Sequence, residues 1–125
     1  MKAAGVRELK KELNHRSQPE LMEICLRLSK FKKENKELLT YLLFESENED
    51  LYIQSVKEEI DAQFSEINTS NYYYIKKSIR RILKTTRKYI LYSGKKETSI
   101  ELLLYFCKKM NEFSPSVHRN KTLQK

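Results

Sequence analysis

The sequence predicts an all-α fold of about six helices in antiparallel hairpins, either a HEAT-like α-α superhelix or an irregular helical bundle. Three observations carry that expectation. Only two Gly and two Pro occur in 125 residues, too few turn formers for the closely spaced turns of a sheet. Eight Tyr and five Phe accompany a 39% hydrophobic content, which supplies a core and sets the chain apart from disordered compositions. Apolar residues recur at helical spacing, and capping signals separate the runs.

The elements follow in order. A short amphipathic helix over 6–14 leads the chain. Ser17, Ser46 and Thr98 each precede a glutamate by three residues (Glu20, Glu49, Glu101). In that capping-box spacing each side chain bonds the other residue's free backbone N–H, so helices are expected to start near 18, 47 and 99. Pro19 fits the first turn of the first of these, where a missing donor costs nothing. Leu21, Ile24, Cys25 and Leu28 share one face of a helix ending near 30. Leu38, Leu39, Leu42 and Leu43 mark the next, over 34–45. Ile53, Val56, Ile60, Phe64 and Ile67 form a stripe over 47–67, and Tyr72, Ile75, Ile79, Ile82, Leu83, Thr86 and Ile90 another over 71–93. Asn71 opens that helix and Gly94, suited to a left-handed C-terminal residue, closes it. Over 98–113 apolar residues cover more than half the circumference, which predicts a helix at the centre of the fold.

These helices are expected to form a single domain over 1–113, at a length too short for two cores. The remaining residues, 114–125, read as a basic mobile tail or the start of a linker. The sequence Glu37-Leu38-Leu39-Thr40-Tyr41 returns as Glu101-Leu102-Leu103-Leu104-Tyr105 after 64 positions. Two hairpin repeats of about 32 residues would give that distance, and so would the preference of Glu-Leu-Leu for helices. The segments 8–13 (Glu-Leu-Lys-Lys-Glu-Leu), 20–28 and 36–42 together resemble small all-helical bacterial proteins of unknown function with HEAT-like helical hairpins. The resemblance implies a helical-hairpin fold and transfers no activity.

The usual signatures of catalysis and cofactor binding are absent. Gly5 and Gly94 stand alone, so no glycine-rich phosphate loop can form. His15 and His118 have no Cys, His or carboxylate at metal-ligand spacing. Glu58, Glu59 and Asp61 share a helix, but no Glu-x-x-His motif accompanies them, and they read as a solvated acidic face. Cys25 and Cys107 lie in apolar helical runs, so two reduced, buried thiols in a cytoplasmic protein are expected. The longest uninterrupted apolar run, 102–107, is far short of the about 20 residues of a bilayer span. The expectation is a non-enzymatic domain with no catalytic or metal-binding residue, no cofactor, no small-molecule substrate and no membrane association.

Charge has more shape. The net +8 divides into +4 over 1–44, −7 over 45–70 and +11 over 71–125. On a helix over 71–93, Lys76, Lys77, Arg80, Arg81, Lys84, Arg87 and Lys88 fall within an arc of roughly 140° opposite the apolar stripe. Lys77, Arg81, Lys84 and Lys88 point most directly outward. Such a row could neutralise phosphates, and Tyr72, Tyr73, Tyr74, Tyr89 and Tyr92 could stack on unpaired bases; core packing of the tyrosines is the competing expectation. The acidic helix just before it would set Glu58, Asp61 or Glu66 beside Arg80, Arg87 or Lys76 and weaken that field. The sequence therefore points to a protein-protein interaction or scaffold module, self-association included. The alternative is a nucleic-acid-binding module acting through Lys77, Arg81, Lys84 and Lys88.

Overall fold

The protein is described here by a computed structural model of residues 1–113; the tail expected over 114–125, His118 included, lies outside the described residues. Among the described residues there are six α-helices: α1 (Val6–Leu13), α2 (Gln18–Phe31), α3 (Lys33–Thr40), α4 (Glu49–Ser65), α5 (Tyr72–Ser93) and α6 (Lys96–Phe113), with a π-helical turn at Tyr41–Glu45 between α3 and α4. No strand occurs among the described residues, and the fold is all-α. The chain divides into two compact units, Met1–Thr40 and a second beginning at Tyr41, and each is described by itself.

In the first unit, α2 starts as the spacing predicts. Ser17 Oγ accepts the Glu20 N–H at 3.3 Å and Glu20 Oε1 accepts the Ser17 N–H at 2.8 Å, with Pro19 in the first turn. The helix ends at an extended Lys32 (φ −141°). Asn35 Nδ2 donates to the Leu28 carbonyl at 2.8 Å, bracing the turn into α3, which packs on α2. Within Met1–Thr40 only Ser29 is buried. Leu21 and Ile24 are half-buried, and Cys25 and Leu28 of the expected apolar face stand exposed.

In the second unit, α4, α5 and α6 each touch the other two. Tyr52 of α4 reaches Tyr89 of α5 and Glu49 reaches Ser93, so those helices run antiparallel. Glu49 meets Thr98 and Asp61 meets Tyr105, so α4 and α6 run parallel. The result is an up-down-up three-helix bundle. Its core is drawn from every helix: Tyr52, Ile53, Val56, Ile60 and Phe64; Ile75, Ile79, Ile82 and Tyr92; Leu102 and Phe106, with Tyr41 closing one end. Burying each of these apolar side chains stabilises the fold by about 1.5–3 kcal/mol.

Several boundaries differ from the sequence expectation for identifiable reasons. Two of the three capping boxes do not form. Asn48, not Ser46, caps α4, its Oδ1 accepting the Leu51 N–H at 3.2 Å, while Ser46 donates back to the Leu42 carbonyl. α6 starts at Lys96, with Thr98 buried inside its first turn. The hydroxyl and carboxylate expected to cap locally are instead drawn into a tertiary network. α6 does not occupy the centre either: in a three-helix bundle each helix turns one face inward, and Ile100, Leu104 and Cys107 stay outside. The π turn, closed by Ser46 N–H to the Tyr41 carbonyl at 2.9 Å, adds a residue to one turn. Tyr41 is buried there, and Leu42, Leu43 and Phe44 are exposed.

α5 matches the reading from the sequence. Asn71 Oδ1 accepts the Tyr74 N–H at 3.1 Å, and Gly94 adopts φ 68° at the C-terminus. The left-handed conformation there favours glycine, and it leaves only Gly94 and Lys95 between α5 and α6.

Candidate interaction surfaces

The ridge of α5 is the first candidate. Lys77, Arg81 and Lys84 are exposed and Lys88 is half-buried, opposite the buried Ile75, Ile79, Ile82 and Thr86, as 100° per residue requires. The expected cancellation by the acidic helix does not take the form of ion pairs. Asp61 turns to α6, accepting the Tyr105 hydroxyl at 2.7 Å and lying 3.4 Å from Lys109 Nζ. The one cation of α4, Lys57, pairs with Glu101 at 2.7 Å. Among the described residues, no carboxylate lies within 4.0 Å of Lys76, Lys77, Arg80, Arg81, Lys84 or Arg87.

Acidic groups nevertheless stand near one end of the ridge. A cleft of about 420 Å³ between α4 and α5 is lined by Glu59, Gln63 and Glu66 on one side and Tyr74, Lys77 and Arg81 on the other. Gln63 Nε2 donates to Glu59 at 3.1 Å, and Gln63 Oε1 is buried without a hydrogen-bond partner. The ridge field is therefore opposed at its N-terminal end.

The tyrosines divide between the two roles considered for them. Tyr72, Tyr73 and Tyr74 are exposed, Tyr73 at 67%, with the Tyr73 and Tyr74 rings edge to face at 5.4 Å. Tyr92 is buried and Tyr89 packs against the core. Tyr52 donates to the Tyr89 carbonyl at 2.6 Å, and burial pushes its phenol pKa up.

Glu49 is a polar centre that no sequence spacing announced. Its carboxylate accepts the hydroxyls of Tyr41, Ser93 and Thr98 and lies 3.5 Å from Lys95 Nζ. Burial raises its pKa; the Ser93, Thr98 and Tyr41 hydroxyls and then the Lys95 charge outweigh that, and the net shift is downward. Every donor is spent inside the fold, so the cluster is a clamp and offers no vacant chemistry. No group of three or more His, Cys, Asp or Glu among the described residues could hold a metal ion.

Apolar side chains are exposed as well. In the first unit, Val6, Leu9 and Leu13 of α1, Met22, Leu26, Leu28 and Phe31 of α2 and Leu38 of α3 are all exposed. α1 has its apolar residues at the spacing of one helical face, yet it buries none of them. Cys25 and Cys107 are both exposed free thiols, which corrects the expectation that they are buried: each sits on an outward face of an apolar helix. No helix of the described residues is long and apolar enough to cross a membrane. In comparisons with known proteins, no protein-family model, no curated protein and no solved structure matches the chain.

Proposed function

We propose that this protein is a non-enzymatic helical module of the cytoplasm that binds another protein through the apolar faces of Met1–Thr40. One observation carries the reading: the three helices of this unit leave eight large apolar side chains exposed and bury only Ser29. Their exposures equal about four and a half fully exposed residues. Free cysteines suit a reducing compartment. The test is a photo-reactive amino acid placed at Leu9, Leu26 or Leu38, with Glu58 as a control on the exposed part of α4. Discrete protein adducts are expected at the first three positions. Adducts no more frequent there than at Glu58 overturn the reading.

A second reading is supported by the ridge of α5, where Lys77, Arg81 and Lys84 have no carboxylate partner among the described residues and the Tyr73 ring lies beside Lys77. Binding of a single-stranded oligonucleotide should then fall steeply with salt, and replacing Lys77, Arg81, Lys84 and Lys88 by Glu should remove it. Affinity unchanged by that replacement sinks this alternative.

A further inference from the structure

We infer that the partner is a second copy of this chain, docked through α2 in antiparallel orientation about a two-fold axis passing beside Cys25. This rests on the protein-binding reading and names its partner. α2 is apolar on two sides. At about 100° per residue, Leu21, Ile24 and Leu28 fall on one face, and Pro19, Met22 and Leu26 fall roughly opposite. α3 packs on this helix, and Leu21 and Ile24 are half-buried, whereas Met22 and Leu26 are 58% and 48% exposed. A helix apolar on both sides belongs inside an assembly.

The second face is a shallow groove of about 390 Å³ lined by Pro19, Met22, Glu23, Leu26, Arg27 and Lys30. Positions 19, 22 and 26 have the three-then-four spacing of the seam between paired helices. The charges choose the occupant and its direction. Glu20 and Glu23 lie in the N-terminal half of α2, Arg27 and Lys30 in the C-terminal half, and all four lie on one flank of the seam. In a two-fold antiparallel pair the same flank of each helix meets. The pairs 23 with 27 and 20 with 30 share one centre, residue 25, so a single axis sets Glu23 against Arg27 of the second copy and Glu20 against Lys30 of the second copy. A parallel pair would bring each glutamate level with its own equivalent. Antiparallel helices also bring opposite dipole ends together. Cys25 lies on the other flank, level with the axis, so the two thiols are brought close.

The experiment is sedimentation equilibrium of the full chain in reductant, over a series reaching about 1 mM protein, beside cross-linking of Cys107→Ser protein. The cross-linker is a bismaleimide of about 10 Å reach, matched to the spacing of packed helices. The expected result is a dimer of twice 15.0 kDa that cross-links through Cys25. Met22→Glu would bury a charge in the seam and should weaken the dimer by about 30-fold or more, with helicity by circular dichroism unchanged. Glu23→Arg should weaken it by about 3- to 10-fold, and adding Arg27→Glu should restore it; because 23 and 27 are also an i, i+4 pair within one helix, equal helicity of the single and double variants by circular dichroism assigns the rescue to antiparallel register. A dimer indifferent to Met22→Glu, or one in which the double charge swap weakens as much as the single, overturns the inference. A monomer throughout the series also overturns it. If that monomer still forms discrete adducts at Leu26 with a different protein, the protein-binding reading stands and only the identity of the partner falls. If it forms none, both fall.

Discussion

Glu49 gathers three hydroxyls and an ammonium from three different segments of the chain, and its titration should contribute to the acid limb of stability. Its folded pKa lies below the ordinary 4.5, so its contribution is present above that value and is lost as pH falls through the folded value. Glu49→Gln keeps the shape but removes the charge and part of the accepting capacity. It should cost about 1–3 kcal/mol at neutral pH and flatten the loss of stability below pH about 4.5, measured by urea unfolding across pH. The alkaline limb is shared by Tyr105, whose phenol is pushed up to about 12 by burial and then by its bond to Asp61, and by Tyr52 and Tyr41, which burial also pushes up. An unfolded tyrosine ionises near 10.0, so stability should decline between about 10 and 12 as the unfolded chain sheds a proton that the folded one retains. Tyr105→Phe should remove part of that decline; an unchanged alkaline limb in the variant would contradict the assignment.

At the scale of elements, helix existence was legible and helix starts were legible only where the cap is local. Ser17 with Glu20 and Asn71 with Tyr74 involve neighbours three residues apart on solvent-facing ends, and both caps form as read. Ser46 and Glu49 have the same spacing, but Glu49 is taken by Ser93 and Thr98, which lie 44 and 49 residues away. No local pattern can register such a competitor. The same holds for the π turn: an apolar run at α spacing through Leu38, Leu39, Leu42 and Leu43 carries no mark of the extra residue that accompanies Tyr41's burial. Cap substitution separates the two cases. Asn71→Ala should destabilise the second unit by about 1 kcal/mol, whereas Ser46→Ala, which removes only a back-bond to the Leu42 carbonyl, should change stability by less than about 0.5 kcal/mol. Chemical denaturation of the two variants side by side checks the contrast.

For the whole molecule, the all-α class followed from the scarcity of turn formers and the stripes of α4 and α5. The basic ridge was legible as an exposed face at Lys77, Arg81 and Lys84, but not at Lys88, which was expected to point outward and is half-buried over the Tyr89 ring. What escaped the sequence was the uneven division of burial. The leucines of Met1–Thr40 look like core residues in any window, and only the assembled structure reveals that the core cluster lies wholly from Tyr41 onward. A chain beginning at Tyr41 should accordingly retain the cooperative unfolding transition of the full protein, shifted by less than about 1 kcal/mol. Loss of that transition would mean the first unit supplies stability that its burial does not account for.

The two-residue turn at Gly94 and Lys95 has a consequence for the order of folding. Closing so short a loop costs little chain entropy, so α5 and α6 should pair in the transition state and bring Ser93 and Thr98 together as a prepared half-site. α4 then docks across a longer connection, delivering Glu49 last. Gly94→Ala, strained at φ 68°, should therefore slow folding, while Glu49→Gln should chiefly speed unfolding. Stopped-flow measurement of both rate constants distinguishes this sequence of events from one in which α4 and α5 meet first. On this route the half-buried carboxylate acts as a latch, closing a bundle whose other two helices have already met.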